Sequence, residues 1–279
     1  MYINGNLLKV KRFSSGELKF LKSTLNSFLI NNSVEILYLN EESIFELQLV
    51  LSYYNNIKAD INLILSYLPY QRMDHTDRDE LDTVNYVADI FNSYNLKSIT
   101  ICEPHCDTSS FNNCINFSFI NNLKERVFKQ IDFNEDSDTI IVTDKGGLKR
   151  YGNLGKNVVY FNKVRDLESG LIIKHEIVGK INPNSKILIV DDIISTGDTI
   201  CNIIDYLKTL NLQKTYIFCG HFEKNIYNKR LIEEKNVKKI FSTNSLTKNA
   251  NKKLFLFDIK EIFYGKNNKL FDWMDKKLC

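Results

Sequence analysis

No stretch of this sequence is both long and apolar enough to cross a bilayer as a helix, so a helical membrane span is not expected. The opening residues, MYINGNLLKVKRF, lack the apolar core of a secretory signal. None of the six cysteines is spaced as Cys-x-x-Cys, which leaves zinc ribbons and dithiol redox centres without support. Charge of neither sign is in excess: 37 basic residues face 34 acidic ones, for a net charge of +3. That balance gives no electrostatic reason to expect nucleic acid or a membrane surface as partner. A protein that handles phosphates needs only a local positive site, so the balance is compatible with one. Only three prolines are present, and no low-complexity linker interrupts the chain. Cys102 and Cys219 sit inside apolar runs, where reduced, buried thiols are expected, and the expected compartment is a reducing cytoplasm.

What is present is the composition of a globular protein. The chain has 279 residues, 43% hydrophobic and 25% charged, enough for one large or two mid-sized domains with a buried core. Short β-rich runs recur at Glu35–Leu39, Ile61–Ser66, Ser98–Cys102, Thr139–Thr143, Val158–Phe161, Lys186–Val190 and Thr215–Cys219. Helical periodicity lies between them, as at Leu81, Val84, Ala88 and Phe91, and at Ile200, Ile203, Ile204 and Leu207. Such alternation predicts an α/β fold of mainly parallel sheets flanked by helices, with sites at the carboxyl ends of strands. The polar stretch Asp132–Asp138 is the expected junction between two α/β halves.

The most informative segment is Lys186–Thr199, KILIVDDIISTGDT. An apolar strand runs directly into Asp191 and Asp192, then into Ser195, Thr196, Gly197, Asp198 and Thr199, then into an amphipathic helix. Backbone N–H groups in a short turn at a helix N-terminus form a nest for phosphate, and the hydroxyls of Ser195, Thr196 and Thr199 can assist. Gly197 permits close approach or a positive φ. Two acids at a strand end can accept hydrogen bonds from vicinal sugar hydroxyls. A ribose-phosphate site is therefore expected here, against the plainer alternative of a strand, a turn and an ordinary N-cap.

This segment resembles the ribose-phosphate loop of the type I phosphoribosyltransferase fold, and other segments resemble one family of that fold, the ribose-phosphate pyrophosphokinases. Phe13-Ser-Ser-Gly-Glu17 is similar to the family's adenine-binding FSDGE. Pro69-Tyr-Gln-Arg-Met-Asp74 is similar to its Pro-Tyr segment ending in Arg-Gln-Asp, where the arginine contacts ATP. Glu103-Pro-His105 stands where the family has Asp-Leu-His at the metal and phosphate site. Thr143-Asp-Lys-Gly-Gly-Leu-Lys-Arg150 resembles PDAGGxKR, which holds Mg²⁺ and pyrophosphate. Lys163-Val-Arg165 falls where a flexible loop carries the catalytic Lys-x-Arg, and Gly220-His221-Phe222 and Thr243-Asn244 echo late segments. The matches run in family order over nearly the whole chain.

The resemblance implies two tandem phosphoribosyltransferase-like domains, residues 1–131 on the ATP side and 132–279 with the ribose-phosphate loop. It implies an enzyme of nucleotide biosynthesis that transfers the β,γ-diphosphoryl group of Mg-ATP to the C1 hydroxyl of ribose 5-phosphate. Catalytic roles fall to Lys163, Arg165 and His105, and metal binding to His105 and Asp144. ATP or pyrophosphate contacts fall to Phe13, Ser15, Glu17, Arg72, Asp74, Gly146 and Gly147, and ribose-phosphate contacts to Asp191, Asp192, Ser195, Thr196, Gly197, Asp198 and Thr199. A homo-oligomer, dimer or hexamer, is implied because a neighbour completes the family's adenine sites. Two departures stand out: Met73 replaces the family's glutamine, and Asp198 replaces the usual glycine. A carboxylate at 198 raises an alternative acceptor, an extended ribose 5-phosphate such as ADP-ribose, which would move the protein toward NAD metabolism. A phosphoribosyltransferase and a non-catalytic synthetase-associated homologue remain further alternatives.

Overall fold

A computed structural model describes residues 1–40, 43–73, 80–165, 172–212, 214–223 and 229–265, with the backbone alone at 163–165 and 172–175. The chain divides into two compact units. The first is Met1–Phe117 together with the described residues from Ile259; the second is Ser118–Asp258.

In the first unit the chain runs β1 (Tyr2–Ile3), β2 (Asn6–Leu7), β3 (Lys11–Arg12), β4 (Leu18–Lys19), α1 (Lys22–Asn26), β5 (Ser33–Tyr38), α2 (Ile44–Asn56), β6 (Asp60–Leu65), α3 (Thr83–Asn92), β7 (Leu96–Cys102) and β8 (Cys114–Phe117). The sheet order is β2-β1-β5-β6-β7-β8, parallel from β5 to β8, with β1 and β2 adding an antiparallel edge. Strands β3 and β4 form a separate hairpin. Helix starts follow local chemistry. Ser43 and Glu46 form a reciprocal capping box at α2, and the Asp82 carboxylate accepts the Asn85 N–H at α3. That cap starts α3 at Thr83, so Leu81 lies outside the helix and is exposed, while Val84, Ala88 and Phe91 face the core as their spacing predicts.

The second unit runs α4 (Phe119–Ile131), β9 (Thr139–Val142), α5 (Lys145–Tyr151), β10 (Val158–Arg165), β11 (Ile172–Val178), β12 (Ile187–Ile194), α6 (Asp198–Thr209), β13 (Thr215–Phe222), α7 (Lys229–Glu233), β14 (Val237–Thr243) and β15 (Leu254–Phe257). Its sheet order is β11-β10-β9-β12-β13-β14-β15, with every pair parallel except β10–β11. Ile187 and Ile189 of β12 meet Ile200, Ile203, Ile204 and Leu207 of α6 in one apolar cluster. Burying each such side chain contributes about 1.5–3 kcal/mol before conformational entropy is set against it.

The division falls at Phe117 and Ser118, and the polar stretch Asp132–Asp138 lies inside the second unit, between α4 and β9. A final helix, α8 (Ile259–Tyr264), belongs to the first unit. Its Ile259, Ile262 and Phe263 are buried, and Phe263 lies 5.1 Å from the Phe117 ring. Chain order and spatial unit therefore part company at the C-terminal end, because the apolar face of α8 is covered by the first unit. The five described cysteines are free, Cys102 and Cys219 among them and buried. Among the described residues no helix is long and apolar enough to cross a membrane.

Candidate active site

The second sheet fixes where a site can lie. From β9 the chain goes to β10 on one side, whereas β12 lies on the other side of β9. The β9–β12 boundary is thus a topological switch point, and in open α/β sheets ligands bind outside the carboxyl ends of the strands at such a point. Strand β12 pairs with β9 only as far as Val190–Val142, yet it continues along β13 to Ile194–Phe222. Asp191 and Asp192 consequently lie within the strand, beyond the end of β9, where Asp191 meets Thr143. The strand was expected to stop at Val190; the β13 hydrogen bonds carry it four residues further.

The two acids are not equivalent. Side chains alternate along a strand, so neighbouring residues point to opposite faces. Asp192 is buried, with Oδ2 2.6 Å from an Arg150 guanidinium nitrogen of α5 and Oδ1 accepting the Ile193 N–H at 2.7 Å. Asp191 is partly exposed and accepts the Thr143 hydroxyl at 2.8 Å and the Asp192 N–H at 3.1 Å. Burial, followed by the negative charges of Asp192 and Asp144, pushes its carboxyl up to about 8, against the pull of the Thr143 hydroxyl. Asp191 is therefore the acid that keeps some exposure to solvent, and Asp192 is the acid held by Arg150.

The turn after β12 leads into α6. Gly197 takes φ +83 and is the N-cap of α6, without a side-chain cap to the helix N–H groups. Those N–H groups and the positive end of a 12-residue helix suit an anion. A Cβ at 197 would lie 3.0 Å from Leu231 Cδ2, so both the backbone angle and the space select glycine. Gly197→Ala is expected to cost about 1–3 kcal/mol in thermal or urea unfolding and to weaken phosphate binding at the turn; an unchanged midpoint would contradict this. The hydroxyls in the turn are engaged by acids. Thr196 donates to Asp198 Oδ2 at 2.7 Å, and Ser195 donates to Glu223, which follows β13. Thr196 and Asp198 are exposed, and Thr199 is half-buried.

Asp144 caps α5, its Oδ1 accepting the Gly147 N–H at 2.6 Å. The Gly146-Gly147 stretch, expected as a cradle for an anion, is the first turn of α5, occupied at its N-terminus by Asp144. Gly147 also brings α5 close to β9, since a Cβ there would sit 3.2 Å from Val142 Cβ. Lys163 and Arg165 lie in β10, opposite His175 and Ile172 of β11, on strand rather than in the loop expected for them. Their side chains lie outside the described residues.

The remaining expected residues belong to the first unit. Phe13, Ser15 and Glu17 form the tip of the β3–β4 hairpin. Phe13 is exposed, the Phe13 N–H donates to the Glu17 carbonyl at 2.9 Å, and the Ser15 hydroxyl donates to the Glu17 carboxylate at 2.8 Å. Arg72 is exposed and His105 half-buried, the His105 N–H donating to Gln71 Oε1 at 2.9 Å. Asp74 lies outside the described residues. Among those described, no three His, Cys, Asp or Glu side chains gather in a metal-ligating cluster. Asp144 and Asp191 supply hard oxygen donors of the kind Mg²⁺ takes, and Mg²⁺ usually completes its shell with water and substrate phosphates. The donor set thus fits a Mg²⁺ carried by the substrate phosphates. Sequence reasoning missed the partners: Thr143 for Asp191, Arg150 for Asp192 and Glu223 for Ser195. Arg150 was legible as part of the Gly-Gly-x-Lys-Arg pattern, whereas nothing local marks Glu223.

Comparison with known proteins agrees with this geometry. A family described as the phosphoribosyl transferase domain matches residues 120–254. A ribose-phosphate pyrophosphokinase of Thermoplasma acidophilum is 30% identical over 224 residues, covering 76% of this chain and 74% of that protein. Its counterpart from Thermoplasma volcanium is 28% identical over 225 residues, with the same shares. The crystal structure of phosphoribosylpyrophosphate synthetase from Mycobacterium smegmatis superposes with a TM-score of 0.68 at 19% identity, over 91% of this chain and 87% of that one, a likeness of fold. With a 30% identical relative aligned over most of both lengths, this chain belongs to the ribose-phosphate pyrophosphokinase family.

Proposed function

We propose that this chain transfers the β,γ-diphosphoryl group of Mg-ATP to the C1 hydroxyl of ribose 5-phosphate, giving phosphoribosyl pyrophosphate and AMP. The observation that carries the reading is the Asp191–Gly197 segment at the switch point, one acid left partly exposed and followed by a helix N-terminus without a side-chain cap. In the transfer, the C1 oxygen attacks the β-phosphorus, the bond from that phosphorus to the α,β-bridging oxygen breaks, and the C1 hydroxyl proton is lost. Asp191 accepts hydrogen bonds from the ribose hydroxyls and orients C1. The N–H groups opening α6, with Ser195, Thr196 and Thr199, hold the 5-phosphate. Asp192, fixed by Arg150, keeps the strand end in place. Asp144 would offer a carboxylate oxygen to the metal, and His105 is assigned to the phosphates of ATP by resemblance. Mg²⁺, when bound, supplies neutralisation of the transferred phosphoryl oxygens. Lys163 and Arg165 are assigned to charge stabilisation at the β-phosphorus by resemblance. Phe13, exposed at a hairpin tip, suits stacking on adenine, and Arg72 suits the ATP phosphates. A homo-oligomer follows from the same resemblance.

A second acceptor is favoured by one observation. Asp198 and Glu223 each take a hydroxyl of the phosphate turn. A carboxylate about 6 Å from a phosphate, at an effective dielectric of about 20, repels each unit charge by roughly 2–3 kcal/mol. The dianionic end of ribose 5-phosphate suffers more than the singly charged diester of ADP-ribose. Mass spectrometry of AMP release from Mg-ATP, with each acceptor in turn, separates the readings. We expect AMP and a pyrophosphorylated product. We also expect Asp198→Asn to lower the Michaelis constant for ribose 5-phosphate about tenfold more than that for ADP-ribose. No turnover with either acceptor would sink both, in favour of a phosphoribosyltransferase or a non-catalytic homologue.

A further inference from the structure

We propose that Gln71 is a positioning residue on the nucleotide side, its buried amide tying the turn that carries Arg72 to the turn that carries His105. The inference rests on the reading above, in which Arg72 and His105 serve ATP. Both turns follow the carboxyl ends of β6 and β7, which are parallel neighbours. Each is strained. Tyr70 takes φ +63 and Glu103 φ +44, in the left-handed region that L-residues with large side chains rarely adopt.

The exposed Tyr70 side chain gains little packing to offset that backbone angle. Its turn closes through the Met73 N–H donating to the Tyr70 carbonyl at 2.8 Å. The second turn is held on its far side by the Glu103 N–H donating to the Phe117 carbonyl at 2.7 Å, and Pro104 removes a further backbone freedom. Between the two turns stands Gln71, fully buried, with Oε1 accepting the His105 N–H at 2.9 Å. Its Nε2 is buried without a hydrogen-bond partner. A glutamine buried this way leaves a donor unsatisfied, a cost that an apolar side chain of equal length avoids. What the amide adds is the link to His105. The geometry suits pre-organisation: two strained turns joined by one short strut, so that Arg72 and His105 move together or not at all.

Gln71→Met removes the acceptor and the unsatisfied donor together, so folding should change little while the link is lost. With the full chain, Mg-ATP and whichever acceptor is turned over, we expect kcat to fall about tenfold and the Michaelis constant for ATP to rise, with that for the acceptor unchanged. Amide exchange at His105 should quicken by about tenfold. Gln71→Glu keeps an acceptor oxygen and should retain the protection at His105. Values for Gln71→Met within about twofold of the parent, or losses that track a reduced folded fraction equally for both substrates, would overturn the proposal. Should the parent protein release no AMP, the functional reading fails, and exchange at His105 still decides: unchanged protection in Gln71→Met removes the tie, and faster exchange sustains it. Should Gln71→Met not fold, Gln71→Glu carries the test, and loss of His105 protection there would count against the link.

Discussion

Arg150→Met is expected to destabilise the second unit by about 3–5 kcal/mol, the cost of leaving a buried carboxylate without its partner. Asp192 is 2% exposed at its side chain and lies 2.6 Å from the Arg150 guanidinium, itself 30% exposed. Methionine keeps most of the arginine stem and its packing, so the loss reports the charge rather than the volume. The double variant Arg150→Met with Asp192→Asn should recover most of the loss, because the uncompensated charge is gone. Urea unfolding, followed by amide exchange along β12, gives both numbers. A single variant that costs under about 1 kcal/mol would mean that water reaches Asp192. Because Asp192 adjoins Asp191, the acid proposed to bind ribose, the single variant should also misplace Asp191 and lower turnover beyond what its folded fraction explains.

Asp191→Asn is expected to do two opposite things: abolish most of the transfer and stabilise the metal-free protein. Above the pH at which Asp191 ionises, loss of a charged acceptor for a sugar hydroxyl costs about 1.5–3 kcal/mol, or roughly 10- to 150-fold in kcat/KM. The stabilisation follows from the raised carboxyl. Its folded pKa, about 8, lies above the unfolded carboxylate value, so between the two the native state binds more protons than the unfolded state. Stability of the parent protein therefore falls as pH rises through that window, and above it the ionised form carries the full penalty. The uncharged amide of the variant carries none, and its carbonyl oxygen can still accept the Thr143 hydroxyl. In buffer with a chelator at pH 8 the variant should be more stable by about 1–2 kcal/mol, a gap that closes toward pH 4. A gap independent of pH would refute the assignment of strain to the Asp191 charge. Raised stability with lost activity is the usual signature of a site that gives up stability for function.

Much of this molecule could be read from its sequence. The buried strands announced themselves as runs of Ile, Leu and Val bounded by polar turns, as at Ile187–Val190. The amphipathic spacing of Ile200, Ile203, Ile204 and Leu207 fixed both the presence and the buried face of α6. Both signals are local, since period and residue type decide them before any tertiary contact forms. Strand β14 was not legible, because Lys238 and Lys239 interrupt its apolar pattern; their positions are tolerated because one is exposed and the other holds its ammonium over the Phe241 and Phe255 rings. The Asp-Asp-x-x-Ser-Thr-Gly order marked the turn between β12 and α6, and glycine at 197 foretold the positive φ.

The sequence by itself determined the α/β class, the apolar strands and helix faces, and the residue types of the phosphate turn. Tertiary structure alone decided that β12 outruns β9, that Asp192 is taken by Arg150 while Asp191 meets Thr143, and that Glu223 holds Ser195. It alone returned α8 to the first unit and placed Gln71 against His105. These partners are separated by 28 residues for Ser195 and Glu223, which follows β13, by 48 for Asp191 and Thr143, which follows β9, and by 34 for Gln71 and His105. A chain records which groups can bond and how each segment repeats; which of several equally capable acids, amides and hydroxyls meet is settled only when strands from distant segments pair and bring their ends to one edge of a sheet.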